Sequence, residues 1–253
     1  MKIKTYRFCK GISIINLGDI HRGDKNCDVD AYLKAVEEVR THDDLYWLST
    51  GDILNVALKT GASDCYESLS LDEEFAKVEK EIAPIAHKCL GIVSSNHHRR
   101  LKNLTGFDLD KQISKVMNIP YLGKLGCINV VCGRSSYFIV LHHGVGFGRK
   151  RGSKANNTEM LAELIPGADI YLEGHTHTQD AFINDTAYID RKRLLLTSFH
   201  SHFVTTGHYL QYENSYAQDY KLPSRPIGSS IISLKYSIAG TYSVKKVKTD
   251  FFC

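Results

Sequence analysis

The stretch Ile12-Ser13-Ile14-Ile15-Asn16-Leu17-Gly18-Asp19-Ile20-His21 decides how this chain is read. An apolar run breaks at a glycine and is followed at once by a carboxylate and an imidazole. Residues 12–17 read as a strand buried on both faces, the pattern of an α/β sheet. Asp19 and His21 lie two apart, so on extended backbone their side chains leave the same side. The pattern recurs. Residues 45–48 lead to Gly51-Asp52, and residues 90–93 to Ser95-Asn96-His97-His98. Residues 137–141 lead to His142-His143-Gly144, and residues 168–172 to Gly174-His175-Thr176-His177. Binding groups of open α/β sheets gather beyond the carboxyl ends of the strands. The five polar islands are therefore expected to meet.

Helical patterns fill the intervals. Residues 29–40 carry Tyr32, Leu33, Val36 and Val39 on one stripe. Residues 71–89 begin with Asp72-Glu73-Glu74, where the helix dipole favours acid. Residues 107–117 and 158–164 are further helices, the last ending before Pro166-Gly167. From residue 181 onward, short strands at 181–183, 187–189, 194–199, 227–234 and 241–247 follow one another without helices, with turn signals at Asn184-Asp185 and Ala239-Gly240. The expected fold class is α/β, with two packed mixed β-sheets flanked by helices. Neither linker composition nor repeats divide the chain, so one domain over residues 1–253 is expected.

Composition narrows the function classes. The 253 residues are 43% hydrophobic and 24% charged, which suits a globular protein with a sizeable core. No apolar run reaches the roughly 18–20 residues that span a bilayer, and the first residues lack a signal-peptide core. No membrane partner is expected. Seven cysteines at 9, 27, 65, 89, 127, 132 and 253 form no Cys-x-x-Cys pair. Such a set argues against a disulfide framework and a thiolate zinc site, and for a reducing, cytoplasmic compartment.

The net charge of +4 is too small for a dedicated nucleic-acid-binding domain. Basic residues nevertheless cluster at His98-Arg99-Arg100, at Arg149-Lys150-Arg151 with Lys154, and at Arg191-Lys192-Arg193. His98, Arg99, Arg100 and Arg149 are the candidate substrate contacts, with a solvated face as the alternative. His42, His87 and His208 read as ordinary surface or core histidines, and strand alternation turns His142 away from His143. His200 and His202 share a strand face, read as a polar sheet face. Tyr209, Tyr212, Tyr216 and Tyr220 line a loop ending at Pro223 and Pro226, where they either pack the loop or stack bases.

In their motifs and order the five islands resemble the calcineurin-like metallophosphoesterase family. The family's Asp-x-His is similar to Asp19 and His21, and its Gly-Asp to Gly51-Asp52. Its Gly-Asn-His-Asp/Glu is similar to Ser95-Asn96-His97-His98, its His-Gly to His143-Gly144, and its Gly-His-x-His to Gly174-His175-Thr176-His177. The resemblance covers residues 18–177 and implies a four-layer α-β-β-α sandwich holding two divalent metal ions. One ion would take Asp19, His21, Asp52 and His177. The other would share Asp52 and take Asn96, His143 and His175. His97 would stay off the metals and face the substrate as a catalytic group. Ser95 stands where the family has glycine, and His98 where it has an acid.

Nitrogen and oxygen ligands suit manganese first, with iron, zinc or nickel as alternatives. Two such ions with Asp19, Asp52 and a bridging hydroxide leave a net positive pocket that attracts phosphate. Metals roughly 3.5–4 Å apart generate hydroxide near neutral pH and clamp an in-line displacement. The expected function is a dinuclear metal-dependent phosphoesterase acting on phosphodiesters in nucleic acid or nucleotides. The alternatives are a phosphomonoesterase or protein phosphatase, and a non-catalytic nucleic-acid-binding protein on the same scaffold.

Overall fold

The computed structural model describes residues 3–59, 66–146, 150–239 and 242–253. In chain order it runs β1 (Lys4–Phe8), β2 (Ile12–Asn16), α1 (Val29–Thr41), β3 (Leu45–Ser49), α2 (Leu71–Ile82), a 3-10 turn (Ala83–Lys88), β4 (Cys89–Ile92), α3 (Asn96–Thr105) and α4 (Leu109–Val116). It continues with β5 (Leu125–Cys132), β6 (Ser135–His142), α5 (Arg151–Leu164), β7 (Ile170–Glu173), β8 (Gln179–Asp190), β9 (Leu195–His208), α6 (Tyr216–Asp219), β10 (Gly228–Ala239) and β11 (Tyr242–Phe252).

The strands form two mixed sheets. In the first, β4, β3 and β2 are parallel, and β10 and β11 add antiparallel to them. In the second the order is β1, β5, β6, β7, β9, with β8 antiparallel on β9. The sheets join at one seam, where Gly207 and His208 of β9 pair with Ser229 and Gly228 of β10.

Period-2 alternation builds the layers. Ile12 and Ile14 of β2 point inward with Leu48 and Leu90, meeting Ile128, Ile139, Leu172 and Val204 of the second sheet. Ile15 and Trp47 point outward onto Tyr32, Val39, Val78, Ile82 and Ile113 of the helices. On the far side, Val140, Tyr171 and Phe203 pack against Leu161 of α5. The result is the α-β-β-α sandwich. Trp47 is fully buried and donates from Nε1 to Ile85 O at 2.8 Å. Truncating so large a buried ring costs about 3–5 kcal/mol.

Local signals set the helix starts. Asp28 caps α1 by accepting from Ala31 N, and Ser70 with Glu73 forms a capping box on α2. Four features depart from the sequence reading. β1 and β5 pair in parallel at the edge of the second sheet, where no strand is expected. Helix α3 begins at Asn96 itself. It buries only His98 and Leu101, so no apolar stripe announces it. Helix α5 starts at Arg151 rather than 158, and two of its three buried residues, Lys154 and Thr158, are polar. Asn184-Asp185 is not a turn, because β8 runs straight through it, pairing both residues with β9. The chain reverses after Asp190, whose Oδ1 accepts from Lys192 N and Arg193 N.

No helix among the described residues is long and apolar enough to cross a membrane. The six described cysteines are free thiols, four of them buried, and Cys65 lies outside the described residues.

Candidate metal centre

Five strand ends deliver their polar islands to one place. Asp19 and His21 follow β2, and Asp52 follows β3. Asn96 and His97 open α3 after β4, His143 follows β6, and His175 and His177 follow β7. The extended backbone expected for Asp19 and His21 is not what brings them together. Both are left-handed (φ 49° and 50°), as are Asp52 (50°), His175 (64°) and His177 (50°). For a non-glycine residue that conformation is costly, and it persists where surrounding structure enforces it, characteristically at functional sites. Here the enforcement is visible: Asp19 N donates to Gly51 O, and His21 N donates to Asp52 O. A Cβ at Gly174 would collide with Asp19 Oδ2, so the glycine is what lets β7 approach.

On the first side of the cluster, Asp19 accepts from His175 N with both oxygens, at 2.9 and 3.0 Å. Its Oδ1 lies 3.5 Å from His177 Nε2, which in turn faces His21 Nε2 at 3.2 Å. On the other side, His143 Nδ1 donates to Thr50 O at 2.9 Å. Its Nε2 therefore faces Asp52 Oδ2 at 3.2 Å and Asn96 Oδ1 at 3.0 Å. Asp52 stands between the two sides, with Oδ2 3.9 Å from both His21 Nε2 and His97 Nε2. Three groups of donor atoms are close enough to share an ion: Asp19, His21 and His177; His21, Asp52 and His97; and Asp52, His143 and His175.

The electrostatics fit divalent cations. Burial holds His21 well below the usual imidazole range, and lowers His175 to about 4 and His177 to about 3. These rings are neutral and offer lone pairs. Burial also opposes charge on His143, yet Asp52 overrides it and raises the ring to about 9. The reason is geometric: Nε2 points at two oxygens, so something positive must lie between them. A metal ion can take the place of that proton. Burial raises Asp19 to about 7, while Asp52 is held low against its own burial by His97 and His143. His21 Nδ1 is buried without a partner among the described residues. Four imidazoles, two carboxylates and one amide oxygen form a donor set for ions such as manganese, iron or zinc.

His97 sits against the cluster, its Nδ1 donating to Asn55 O at 2.5 Å and its backbone N donating to Asp52 Oδ1. Burial keeps the ring below its usual pKa despite Asp52, so Nε2 carries a lone pair. The substrate candidates separate. His98 is buried, with Nδ1 2.6 Å from Asp110 Oδ1, and is not a rim residue. Burial opposes its charge and Asp110 restores it, raising the ring above its usual range. Arg99 is exposed and Arg100 half-buried. Arg149 lies outside the described residues. Arg151, expected in a basic loop, is the first residue of α5 and pairs with Asp180.

Among the remaining histidines, His142 accepts from Gly144 N, and His200 pairs with Asp185 on the hairpin. His208, read as an ordinary histidine, is buried with its ring stacked on His177 at 4.8 Å and 10°. Sequence reading also missed Thr50 and Asn55, whose backbone carbonyls set the tautomers of His143 and His97. A carbonyl leaves no mark on residue type, although Thr50 adjoins Gly51-Asp52.

No family model matches the chain, and no curated protein matches it. Among solved structures it is similar to vacuolar protein sorting 29 from Cryptosporidium parvum, at 15% identity and a TM-score of 0.43, over 96% of this chain and 99% of that one.

Proposed function

We propose that the chain is a dinuclear metal-dependent phosphoesterase of the calcineurin-like kind, hydrolysing phosphodiester bonds in nucleic acid or nucleotides. The observation that carries this reading is Asp52. It stands between two groups of imidazoles that arrive from four different strands, and it belongs to two of the three candidate ion-binding groups. Asp19, His21, Asp52 and His177 would hold one ion, and Asp52, Asn96, His143 and His175 the other. When bound, a pair of divalent ions supplies Lewis acidity at the phosphoryl oxygens and a water-derived nucleophile near neutral pH.

The chain's own residues do the rest. Thr50 O and Asn55 O fix the His143 and His97 rings so that each Nε2 faces the cluster. Asp19 is aimed by the His175 backbone N–H. A phosphate anion beside His97 Nε2 would favour the protonated ring, the form that donates to a leaving oxygen.

The test loads purified protein with Mn²⁺, counts bound metal, and compares bis-p-nitrophenyl phosphate with p-nitrophenyl phosphate. About two metal equivalents and faster diester hydrolysis, abolished by EDTA, are expected. Strong preference for the monoester would overturn the diester assignment. Absence of all hydrolysis with metal bound, alongside nucleic-acid binding that survives EDTA, would replace the enzyme with a binding protein.

A further inference from the structure

Beside the cluster, and sharing His175 and His177 with it, lies a cavity of about 160 Å³. Its lining includes Tyr212, Leu222 and Pro223 from the loop between β9 and β10. A cavity of about 150 Å³ in an apolar core holds a benzene ring, so the space here accepts one flat ring. The lining also includes Lys154, His208 and Arg225, whose side chains bring hydrogen-bond donors.

His208 Nδ1 accepts from Leu210 N at 3.1 Å, so the ring proton is on Nε2. That Nε2–H is buried and has no partner among the described residues. Arg225 Nε is buried and equally without a partner. Lys154, only 8% exposed, donates to Thr176 O at 2.6 Å and Thr178 Oγ1 at 2.7 Å. An ammonium has three donors, so one is left over. Asp180, which feels the charge of Arg225, is already paired with Arg151. The lining thus leaves three donors unmatched, two of them cationic, against few acceptors such as Thr176 Oγ1 and Gln211. Buried donors left unmatched cost free energy, and a ligand rich in acceptors relieves that cost.

We propose that this cavity is the subsite for the base of a nucleotide ester, seated beside the scissile phosphate. A nucleobase has a π face for Tyr212 and for cationic side chains, and edge acceptors for His208 Nε2–H, Arg225 Nε–H and Lys154 Nζ. An aliphatic arm would leave all three donors unmatched. The inference rests on the phosphoesterase reading for the placement of the phosphate, and on the cavity alone for recognition of the base.

The experiment separates the two. With Mn²⁺-loaded protein, kcat/KM is measured for the 5′-p-nitrophenyl esters of thymidine and adenosine monophosphate and for methyl p-nitrophenyl phosphate. All three share a leaving group. Nucleoside esters should be preferred by about five- to 150-fold, since stacking contributes roughly 1–3 kcal/mol per base. Leu222→Trp, which fills the cavity, and Arg225→Ala, which removes a donor, should each collapse that ratio with metal content and melting temperature retained. Hydrolysis of the methyl ester with no nucleoside preference would overturn the subsite and leave the phosphoesterase standing. If no ester is hydrolysed, calorimetric titration with thymidine and adenosine 5′-monophosphates decides. Binding that Leu222→Trp abolishes upholds the subsite, and absence of binding to the unaltered protein overturns it.

Discussion

His177 Nε2 lies 3.2 Å from His21 Nε2, although 156 residues separate the two in sequence. Neither ring carries charge at neutral pH, because burial depresses both. Two neutral imidazoles aimed at each other beside a buried carboxylate form half of a candidate ion-binding cage. A ligand that binds only the folded chain stabilises it by RT ln(1 + [L]/Kd), about 2.7 kcal/mol at a hundredfold excess over Kd. Mn²⁺ should therefore raise the melting temperature by several degrees in scanning fluorimetry, and EDTA should reverse the rise. The shift should shrink in Asp52→Asn. A melting curve indifferent to Mn²⁺, Zn²⁺ and Fe²⁺ would refute the metal centre independently of any activity.

Asp52→Asn and His143→Ala should each reduce kcat/KM on a diester substrate by at least about a hundredfold, the upper end of what loss of a mere supporting partner costs. Far-UV circular dichroism should be unchanged, since neither side chain packs in an apolar cluster. Activity within a few-fold of wild type in either variant would count decisively against a shared Asp52.

His98 and Asp110 make a buried pair directly behind Asn96 and His97, and Ser94 Oγ donates to the second Asp110 oxygen at 2.8 Å. Removing one partner of a buried pair strands the other, which costs about 3–5 kcal/mol. Asp110→Ala should lose that much in urea denaturation. Replacing both residues by leucine should recover a large part of it. If the single variant unfolds at the wild-type midpoint, the pair does not support the start of α3.

Glu74 gives the protein a pH signature. Its carboxyl is fully buried, with Oε2 accepting from Val56 N at 3.0 Å, and burial raises it to about 7. An unfolded glutamate titrates near 4.3. Below about pH 4 both states hold the proton, and the stabilisation is fully present. As pH rises toward 7 the unfolded chain has released its proton while the folded chain still holds one, so stability falls. Glu74→Gln keeps an oxygen for Val56 and cannot ionise. Its melting temperature should overtake that of wild type between pH 5 and 7.5, by the equivalent of on the order of 2 kcal/mol. Parallel pH curves for the two proteins would contradict this.

Legibility in the sequence followed hydrophobic contrast. The runs before Gly18, Gly51, Ser95, His143 and Gly174 are apolar on both faces because each strand is sandwiched between layers, so strand positions and islands could be read together. Helix α3 could not, because its buried residues are a paired histidine and one leucine. Nor could the start of α5, where Lys154 occupies a position that patterning reserves for an apolar residue. The seven candidate ligands were named from residue type and order. Their convergence follows from their place beyond the strand ends, whereas the shared side of Asp19 and His21, expected from extended backbone, is reached through left-handed turns that no periodicity encodes. His208 carries no sequence signal because its placement depends on where β9 ends, a tertiary fact. The candidate rim misplaced His98, whose neighbour Asp110 is remote in pattern but adjacent in space.

The strand β9 belongs to both halves of the sandwich, aligned with β7 along its middle and tied to β10 by its final two residues. His208 is the last of them, and its ring lies flat on His177. Sliding of the two sheets at this seam would therefore pull on the ring that rests against His177. Mechanical cohesion and the candidate metal centre thus meet at a single point.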